Sequence, residues 1–260
     1  MDTVTSRDGT SIAYQQAGSG RPLVLVTGAF NDHTTCAELA AELSPGRTVI
    51  TYDRRGRGES GHRMPYSIDR EVDDLAALVE HAGGSAAVFG YSSGAQLALK
   101  AAADGVAISH LVMYEPPFAF DTGQFGPPDL HEQVADLVAQ GRPGDAVALF
   151  QTAGVGMPAE FVAQIRQSPM WPALEAMAPS LVYDVTIMTS LASPTQAMAD
   201  VSMPALILNG TQTWPKLQHA AKTLAEAMPA ARYEEVPGGQ NHEIPPEATA
   251  ALVRDFLDEN

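Results

Sequence analysis

Short apolar runs alternate with helical segments along most of this chain, and that alternation limits the folds open to it. The runs lie at residues 23–26, 48–52, 86–89, 110–114 and 205–208. Short apolar strands that alternate with helices build a parallel sheet with helices on both faces. Asp8-Gly9, between two short strand-like segments, predicts a hairpin ahead of that sheet. The sequence therefore predicts an α/β fold with a mostly parallel, twisted sheet flanked by helices.

The alternation breaks once, between residues 116 and 201. This segment is rich in proline, methionine and aromatic residues, is mostly helical in character and contains no convincing strand. An insertion of that size is too long for a loop in a compact domain. We therefore predict a helical cap at 116–201, inserted into a core domain formed by residues 1–115 and 202–260.

The composition excludes several classes of partner. A net charge of −16 and a pI of about 4.6 describe an acidic surface that repels phosphate backbones and anionic membranes. We expect no nucleic-acid or membrane partner, and a neutral or weakly charged substrate rather than a strongly anionic one. The lone cysteine, Cys36, excludes an intrachain disulfide and is expected inside the first helix. The start of the chain shows no secretory signal, so the cytoplasm is the expected location.

Residues 90–94 read Gly-Tyr-Ser-Ser-Gly, at the point where a predicted strand ends and a predicted helix, 95–103, begins. In a G-x-S-x-G at such a junction, the central serine occupies a strained turn that lifts its hydroxyl out of the sheet. The pattern alone is weak because glycine and serine are common in turns, but the flanking strand and helix make it strong. Ser92 is therefore the predicted nucleophile, and the alternative is a tight turn without chemistry.

A serine hydroxyl needs an adjacent base to act as a nucleophile, and in this arrangement a histidine follows near the C-terminus. His242 lies in a glycine-containing loop after the last predicted strand, 232–236, and is the best candidate. A solvent-exposed loop histidine is the alternative. His219 falls inside a predicted helix and is expected at the surface, whereas His33 follows a core strand and is expected to line the pocket.

Backbone N–H groups are expected to stabilise the oxyanion that forms when an acyl group is transferred. One is the N–H of Ser93, directly after the nucleophile, and the other is that of Ala29 in the turn after residues 23–26. Gly28 lets this turn approach closely, and Phe30 is expected to contact substrate.

Taken together, these motifs resemble the α/β-hydrolase superfamily over nearly the whole chain. Besides the serine turn, residues 52–60 read Tyr-Asp-Arg-Arg-Gly-Arg-Gly-Glu-Ser, which resembles the D-x-R-G-x-G-x-S turn of that family. The resemblance implies an α/β-hydrolase fold with a catalytic triad. It also implies a structural role for residues 52–60, to which we assign no chemistry.

The chain departs from the common family pattern at the position of the triad acid. Many members carry an aspartate in a G-x-x-D stretch, which here is Gly-Thr-Gln-Thr at 210–213. Glu115 follows the strand 110–114 and offers a replacement, as in haloalkane dehalogenases and zearalenone lactonases. Dehalogenases use an aspartate nucleophile, so Ser92 favours similarity to the lactonases. A carboxylate that only anchors the cap is the alternative for Glu115.

The remaining candidate substrate contacts are Tyr91 beside the nucleophile and two cap aromatics, Phe118 and Trp171, the latter within residues 168–172. An apolar pocket with few polar groups is the usual ligand site. No metal-ligand cluster and no phosphate loop between a strand and a helix is present, so no cofactor is implied.

Three hypotheses follow. The first is a serine hydrolase that cleaves an ester or lactone of a largely apolar small molecule, a macrolactone among them. The second is a non-hydrolytic, C–C-cleaving or cofactor-free haloperoxidase-like enzyme, and the third is a small-molecule receptor on the same scaffold. The sequence leaves the oligomeric state open, with a homodimer as one option.

Overall fold

The computed structural model describes residues 1–120 and 125–259, and an eight-stranded sheet is its centre. The strands are β1 (Asp2–Thr5), β2 (Ser11–Gly18), β3 (Arg21–Val26), β4 (Arg47–Tyr52), β5 (Ala86–Tyr91), β6 (Ile108–Tyr114), β7 (Ala205–Gln212) and β8 (Ala231–Gln240). Their order across the sheet is β1-β2-β4-β3-β5-β6-β7-β8. Only β2 runs antiparallel to its neighbours, and the other pairings are parallel. The mostly parallel sheet predicted from the sequence is confirmed.

Helices cover both faces of this sheet. They are α1 (Ala37–Leu43), α2 (Ile68–His81), α3 (Ser93–Ala103), α4 (Leu130–Ala139), α5 (Pro143–Leu149), α6 (Ala159–Ile165), α7 (Trp171–Ser190), α8 (Gln196–Ala199), α9 (Pro215–Ala227) and α10 (Pro246–Asp258). A π-helical turn, Phe150–Gly154, follows α5 directly. Among the described residues, no helix is long and apolar enough to cross a membrane.

The two faces of the sheet carry separate apolar clusters because successive side chains of a strand point to opposite sides. In β5, Val88 packs in the cluster that includes residues of α2, α3 and α9. The next residue, Phe89, packs in the cluster on the other face, with residues of α1 and α10. This two-sided burial explains why the strands read as continuous apolar runs.

Two sequence expectations about elements are wrong. Cys36 is buried but lies just before α1, where it is the N-cap residue and not part of the helix. Strand β8 does not end at Val236 but continues to Gln240 beside the end of β7. A Cβ on Gly210 would lie 2.5 Å from the Gly239 carbonyl carbon. The two glycines therefore allow the backbones of β7 and β8 to meet closely where Pro-Gly-Gly had suggested a loop.

Within 116–120 and 125–201, the structure contains helices and no strand, in line with the helical segment expected there. A third apolar cluster joins α4, α5 and α7 with the π-helical turn. The end of the segment packs elsewhere: Met198 of α8 belongs to the core cluster that includes residues of α3. The helices from α4 to α7 therefore have a core of their own, whereas α8 packs on the body of the sheet.

Candidate active site

Ser92 lies in the sharp turn between β5 and α3. Its backbone has φ 57° and ψ −127°, a combination that non-glycine residues rarely adopt. Two flanking glycines make the turn possible. A Cβ on Gly94 would lie 2.3 Å from the Val26 carbonyl oxygen, and one on Gly90 would lie 2.5 Å from the Ala95 Cα. The strained serine predicted from the motif is therefore present, held between backbone segments that leave no room for side chains.

A side-chain hydrogen bond joins His242 to Glu115. Nδ1 of His242 is hydrogen-bonded to Oε2 of Glu115, whose side chain is 0% exposed. The other carboxylate oxygen accepts the N–H of Gly210 at 2.9 Å. An ionised carboxylate only accepts hydrogen bonds, so Nδ1 carries the proton and Nε2 is left as the free acceptor of the neutral ring.

Neighbouring aromatic groups fix the His242 ring. Trp214 stacks on it with ring centroids 5.6 Å apart, and Tyr91 lies at 4.9 Å on a tilted plane. The Tyr91 hydroxyl also donates to the backbone carbonyl of His242. Asn241 and His242 both have positive φ, so a tight turn presents the ring. Ser92 and His242 line the same cavity without a hydrogen bond between their side chains, a contact that often closes only around substrate.

The turn after β3 lies against the serine turn. A Cβ on Gly28 would lie 2.7 Å from the Cβ of Ser92, so only glycine fits there. The next residue, Ala29, lines the cavity beside Ser92. Ser93 is the first residue of α3, and its N–H therefore has no acceptor within the helix. The two predicted oxyanion donors thus both lie next to Ser92, Ala29 on the same cavity wall and Ser93 as the following residue in the chain.

A cavity of about 150 Å³ opens above these groups, with mostly apolar walls. Phe30 and Tyr91 line it, as the sequence had suggested. Its other apolar walls include Phe125, Phe150, Val155, Met157, Met188 and Leu217. Sequence reasoning missed these six because nothing in their local pattern distinguishes a cavity wall from ordinary apolar packing.

Three residues predicted to contact substrate lie elsewhere. Phe118 is fully buried in the main core cluster, with its ring centroid 6.0 Å from that of Phe120. Trp171 is 5% exposed and packs in the cap cluster, with the Arg166 guanidinium 5.7 Å from its ring centroid. His33 donates its backbone N–H to Asp53 at 2.9 Å and pairs its ring with the same carboxylate. Phe118 and Trp171 pack in apolar clusters, and His33 is hydrogen-bonded to Asp53. None of the three lines the cavity.

A network of buried charged side chains contacts both the turn at Ser92 and the turn after β3. Asp184 of α7 is 0% exposed and accepts from Arg54 at 2.6 Å, from Arg57 and from the Ser93 hydroxyl at 2.7 Å. Arg57 also donates to the carbonyl of Gly28. These hydrogen bonds join helix α7 to the turn at Ser92 and to the turn after β3. Sequence reasoning gave residues 52–60 a structural role but missed Asp184, a lone carboxylate in the apolar second half of α7.

A family model described as the alpha/beta hydrolase family matches residues 23–255. The chain belongs to this family. Among the described residues of this alpha/beta hydrolase, no group of three His, Cys, Asp or Glu side chains is arranged to hold a metal ion.

Relatives of this alpha/beta hydrolase are found among sequences and solved structures. An alpha/beta hydrolase from Sphaerobacter thermophilus DSM 20745 is 46% identical, with a TM-score of 0.91, covering 98% of this chain and 100% of that one. The enol-lactonase from Burkholderia xenovorans LB400 is 22% identical, with a TM-score of 0.75 and coverage of 99% and 100%. A non-heme haloperoxidase from Rhodococcus erythropolis is 34% identical over 145 residues, which is 52% of each chain.

We expect Asp184→Asn to destabilise this alpha/beta hydrolase strongly. Burial raises the pKa of the Asp184 carboxyl, but the charges of Arg57 and Arg54 more than offset this and hold the pKa below its usual value. Removing the charge leaves two buried guanidinium groups undercompensated, which costs about 3–5 kcal/mol of unfolding free energy. Denaturant unfolding measures this loss. Asp145→Asn is the control, since the partly exposed Asp145 also pairs with two arginines near the surface and its loss should matter little. Equal effects of the two substitutions would contradict this account.

Proposed function

We propose that this protein is a serine hydrolase that cleaves a carboxylic ester or lactone through an acyl-enzyme. The observation that carries the proposal is the buried Glu115–His242 pair, which leaves the second ring nitrogen free in the cavity that Ser92 also lines. A strained serine, an acid and a histidine, in this chain order, form the triad of the family.

The acylation step follows from the geometry. His242 Nε2 takes the proton of the Ser92 hydroxyl while Oγ attacks the substrate carbonyl carbon. The tetrahedral oxyanion accepts hydrogen bonds from the N–H groups of Ala29 and Ser93. Glu115 stabilises the imidazolium, which then gives its proton to the departing alcohol oxygen as the C–O bond breaks. The products of this step are the Ser92 ester and the free alcohol.

Deacylation repeats these events with water. His242 removes a proton from water, and the resulting hydroxide attacks the carbonyl carbon of the Ser92 ester. The C–Oγ bond breaks, Ser92 regains its proton from His242, and the carboxylic acid leaves. In a lactone the alcohol and the acid stay in one molecule, so a single ring-opened hydroxy acid is released.

The cavity supports a small substrate. Its volume of about 150 Å³ is below the roughly 300–1,000 Å³ of sites for drug-sized ligands. Within this cavity alone, short esters and small lactones fit better than the macrolactone suggested by the similarity of the triad to that of zearalenone lactonases. A larger groove of about 810 Å³ adjoins it and shares Val155, Met157, Trp214 and Lys216 with it. The fold shared with an enol-lactonase agrees with a small lactone substrate but does not select it.

A haloperoxidase-like reaction is the second candidate, favoured by the 34% identity to a non-heme haloperoxidase. In that case hydrogen peroxide replaces water as the acceptor of the acyl group, and the released product is a peracid that oxidises halide. Bromide oxidation assayed with peroxide and acetate tests this candidate. Activity that disappears without acetate supports acyl transfer to peroxide.

A p-nitrophenyl ester series tests the proposal. We expect a burst of one p-nitrophenol per chain, followed by steady turnover, and covalent inactivation by a fluorophosphonate. A burst followed by near-zero turnover would indicate a receptor instead of an enzyme. The absence of both burst and labelling would contradict the proposal.

The rate of ester hydrolysis should fall toward acidic pH. A protonated His242 cannot accept the Ser92 proton, so log kcat/KM should decrease toward acidic pH with a limiting slope of one. Steady-state rates across about pH 5 to 9 in buffers of constant ionic strength measure the profile. A rate that stays constant over this range would exclude His242 as the base.

A further inference from the structure

One cationic side chain lines the otherwise apolar cavity. Lys216, in the first turn of α9, shares the cavity wall with the candidate triad. Its ammonium nitrogen lies 4.5 Å from the centroid of the Phe125 ring and donates to the Val155 carbonyl. Burial lowers the pKa of this amine, which means that the charged form lacks solvation there.

The Lys216 charge has no anionic partner among the residues that the structure describes. The lining residues include no carboxylate, and no described carboxylate lies within ion-pair distance of its ammonium nitrogen. An ammonium has three donors, and the Val155 carbonyl satisfies one of them. Donors and charge therefore remain for a group that enters the cavity.

Gln151 is a second polar group on the same wall. It belongs to the π-helical turn, one turn before Val155, and lines the cavity while only 7% exposed. Within the described part of the chain its Oε1 has no hydrogen-bond partner. An unpartnered buried amide is costly, and rotation of the amide presents either its donor or its acceptor. A buried amide beside an unpaired ammonium is an arrangement suited to a carboxylate.

We infer that Lys216 and Gln151 bind a carboxylate of the substrate, so that the hydrolysed ester or lactone is a monoanion with a second, ionised acid group. This inference rests on the proposed function and narrows its substrate class. The small volume of the cavity places the carboxylate a few bonds from the reacting carbonyl. Hemiesters of short dicarboxylic acids and small lactones that carry a carboxylate meet this description.

The acidic surface is compatible with a singly charged substrate. Repulsion from the net charge of −16 is spread over the surface and screened beyond about 8 Å at physiological salt. The ammonium of Lys216 acts at contact distance in a partly buried site, where screening is weak. A polyanion would face more of the surface repulsion with the same single cation, which is why one carboxylate is favoured.

The test compares two substrates that differ only in charge. p-Nitrophenyl hydrogen adipate carries a free carboxylate, and p-nitrophenyl methyl adipate carries a methyl ester in its place. For the wild type we expect kcat/KM to be about 10- to 100-fold higher for the anion, the range of a hydrogen bond to a charged group. Lys216→Met should abolish this preference. Gln151→Leu should reduce it in the same direction.

Lys222→Met is the matched control. Lys222 lies on the same helix but pairs with Glu235 outside the cavity, so its loss should not change the preference for the anion. The same preference in wild type and Lys216→Met, or none in the wild type, would overturn the inference. Thermal unfolding of Lys216→Met, compared with that of the wild type, shows whether the substitution has damaged the fold.

A binding measurement separates this inference from the proposed function. Adipamate, the monoamide of adipic acid, offers the same carboxylate without an ester, and calorimetry gives its Kd. We expect the wild type to bind it at least about tenfold more tightly than Lys216→Met does. Binding with this difference but no ester hydrolysis would remove the proposed function alone. If both esters are hydrolysed but the wild type and Lys216→Met bind adipamate equally well, the inference is wrong and the proposed function stands.

Discussion

Ser92→Ala is expected to lower kcat for ester hydrolysis by roughly 10⁴–10⁶-fold, because the proposed mechanism needs the Ser92 hydroxyl to form the acyl-enzyme. The small remaining rate would come from the oxyanion donors and from substrate binding. Steady-state assays with a p-nitrophenyl ester measure the loss, after the rate of uncatalysed ester hydrolysis is subtracted. A variant that keeps activity within about tenfold of the wild type would exclude the serine mechanism.

The same substitution should leave the fold intact. No hydrogen bond to the Ser92 hydroxyl is recorded among the described residues, and alanine meets the same backbone strain at φ 57°. Thermal unfolding of the variant should therefore match that of the wild type. A large drop in Tm would mean that the lost activity reflects unfolding and not chemistry.

Glu115→Ala is the second large effect that we expect, with a loss of about 10⁴-fold in kcat. Without the carboxylate, the His242 ring can adopt the wrong tautomer and its cation is not stabilised. Glu115→Gln separates charge from shape, since it keeps an acceptor for the Gly210 N–H but has no charge. We expect Gln to be nearly as inactive as Ala, and the rates of the two variants measure this. Retention of most activity by a well-folded Glu115→Ala would show that the acid lies elsewhere.

A double substitution tests whether the usual family position can supply the acid. Thr213 precedes Trp214, whose ring stacks on His242. The Thr213 hydroxyl has no hydrogen-bond partner among the described residues. Thr213→Asp combined with Glu115→Ala should recover part of the lost rate. Full recovery is not expected, because small displacements of a catalytic group are costly. Thr213→Ala alone should have a mild effect.

The sequence predicted those parts of the site that depend on local backbone geometry. Ser92 was identified from the glycines around it and from the change of strand to helix, all within a few residues. Glu115 and His242 followed from the resemblance to the α/β-hydrolase superfamily and from their places after β6 and β8, since the strands of a parallel sheet bring their carboxyl ends to one edge. The sheet enforces these placements, and the structure has Glu115 and His242 in contact.

The predictions failed where packing between distant segments decides the outcome. Trp171 and Phe118 are apolar residues of the capping segment, and no local pattern separates a cavity wall from a cap core. Asp184 and Lys216 escaped notice for a related reason. Each is a single charged residue in a helix. Only the folded structure buries Asp184 beside Arg57 and Lys216 beside Phe125.

Trapping the acyl-enzyme tests the central claim most directly. The wild type would be mixed with a p-nitrophenyl ester, quenched with acid during the burst, digested and analysed by peptide mass spectrometry. We predict one added acyl group per chain, on the hydroxyl of Ser92, and no adduct in Ser92→Ala. Full turnover of the ester without any adduct, or an adduct on a different residue, would contradict the account.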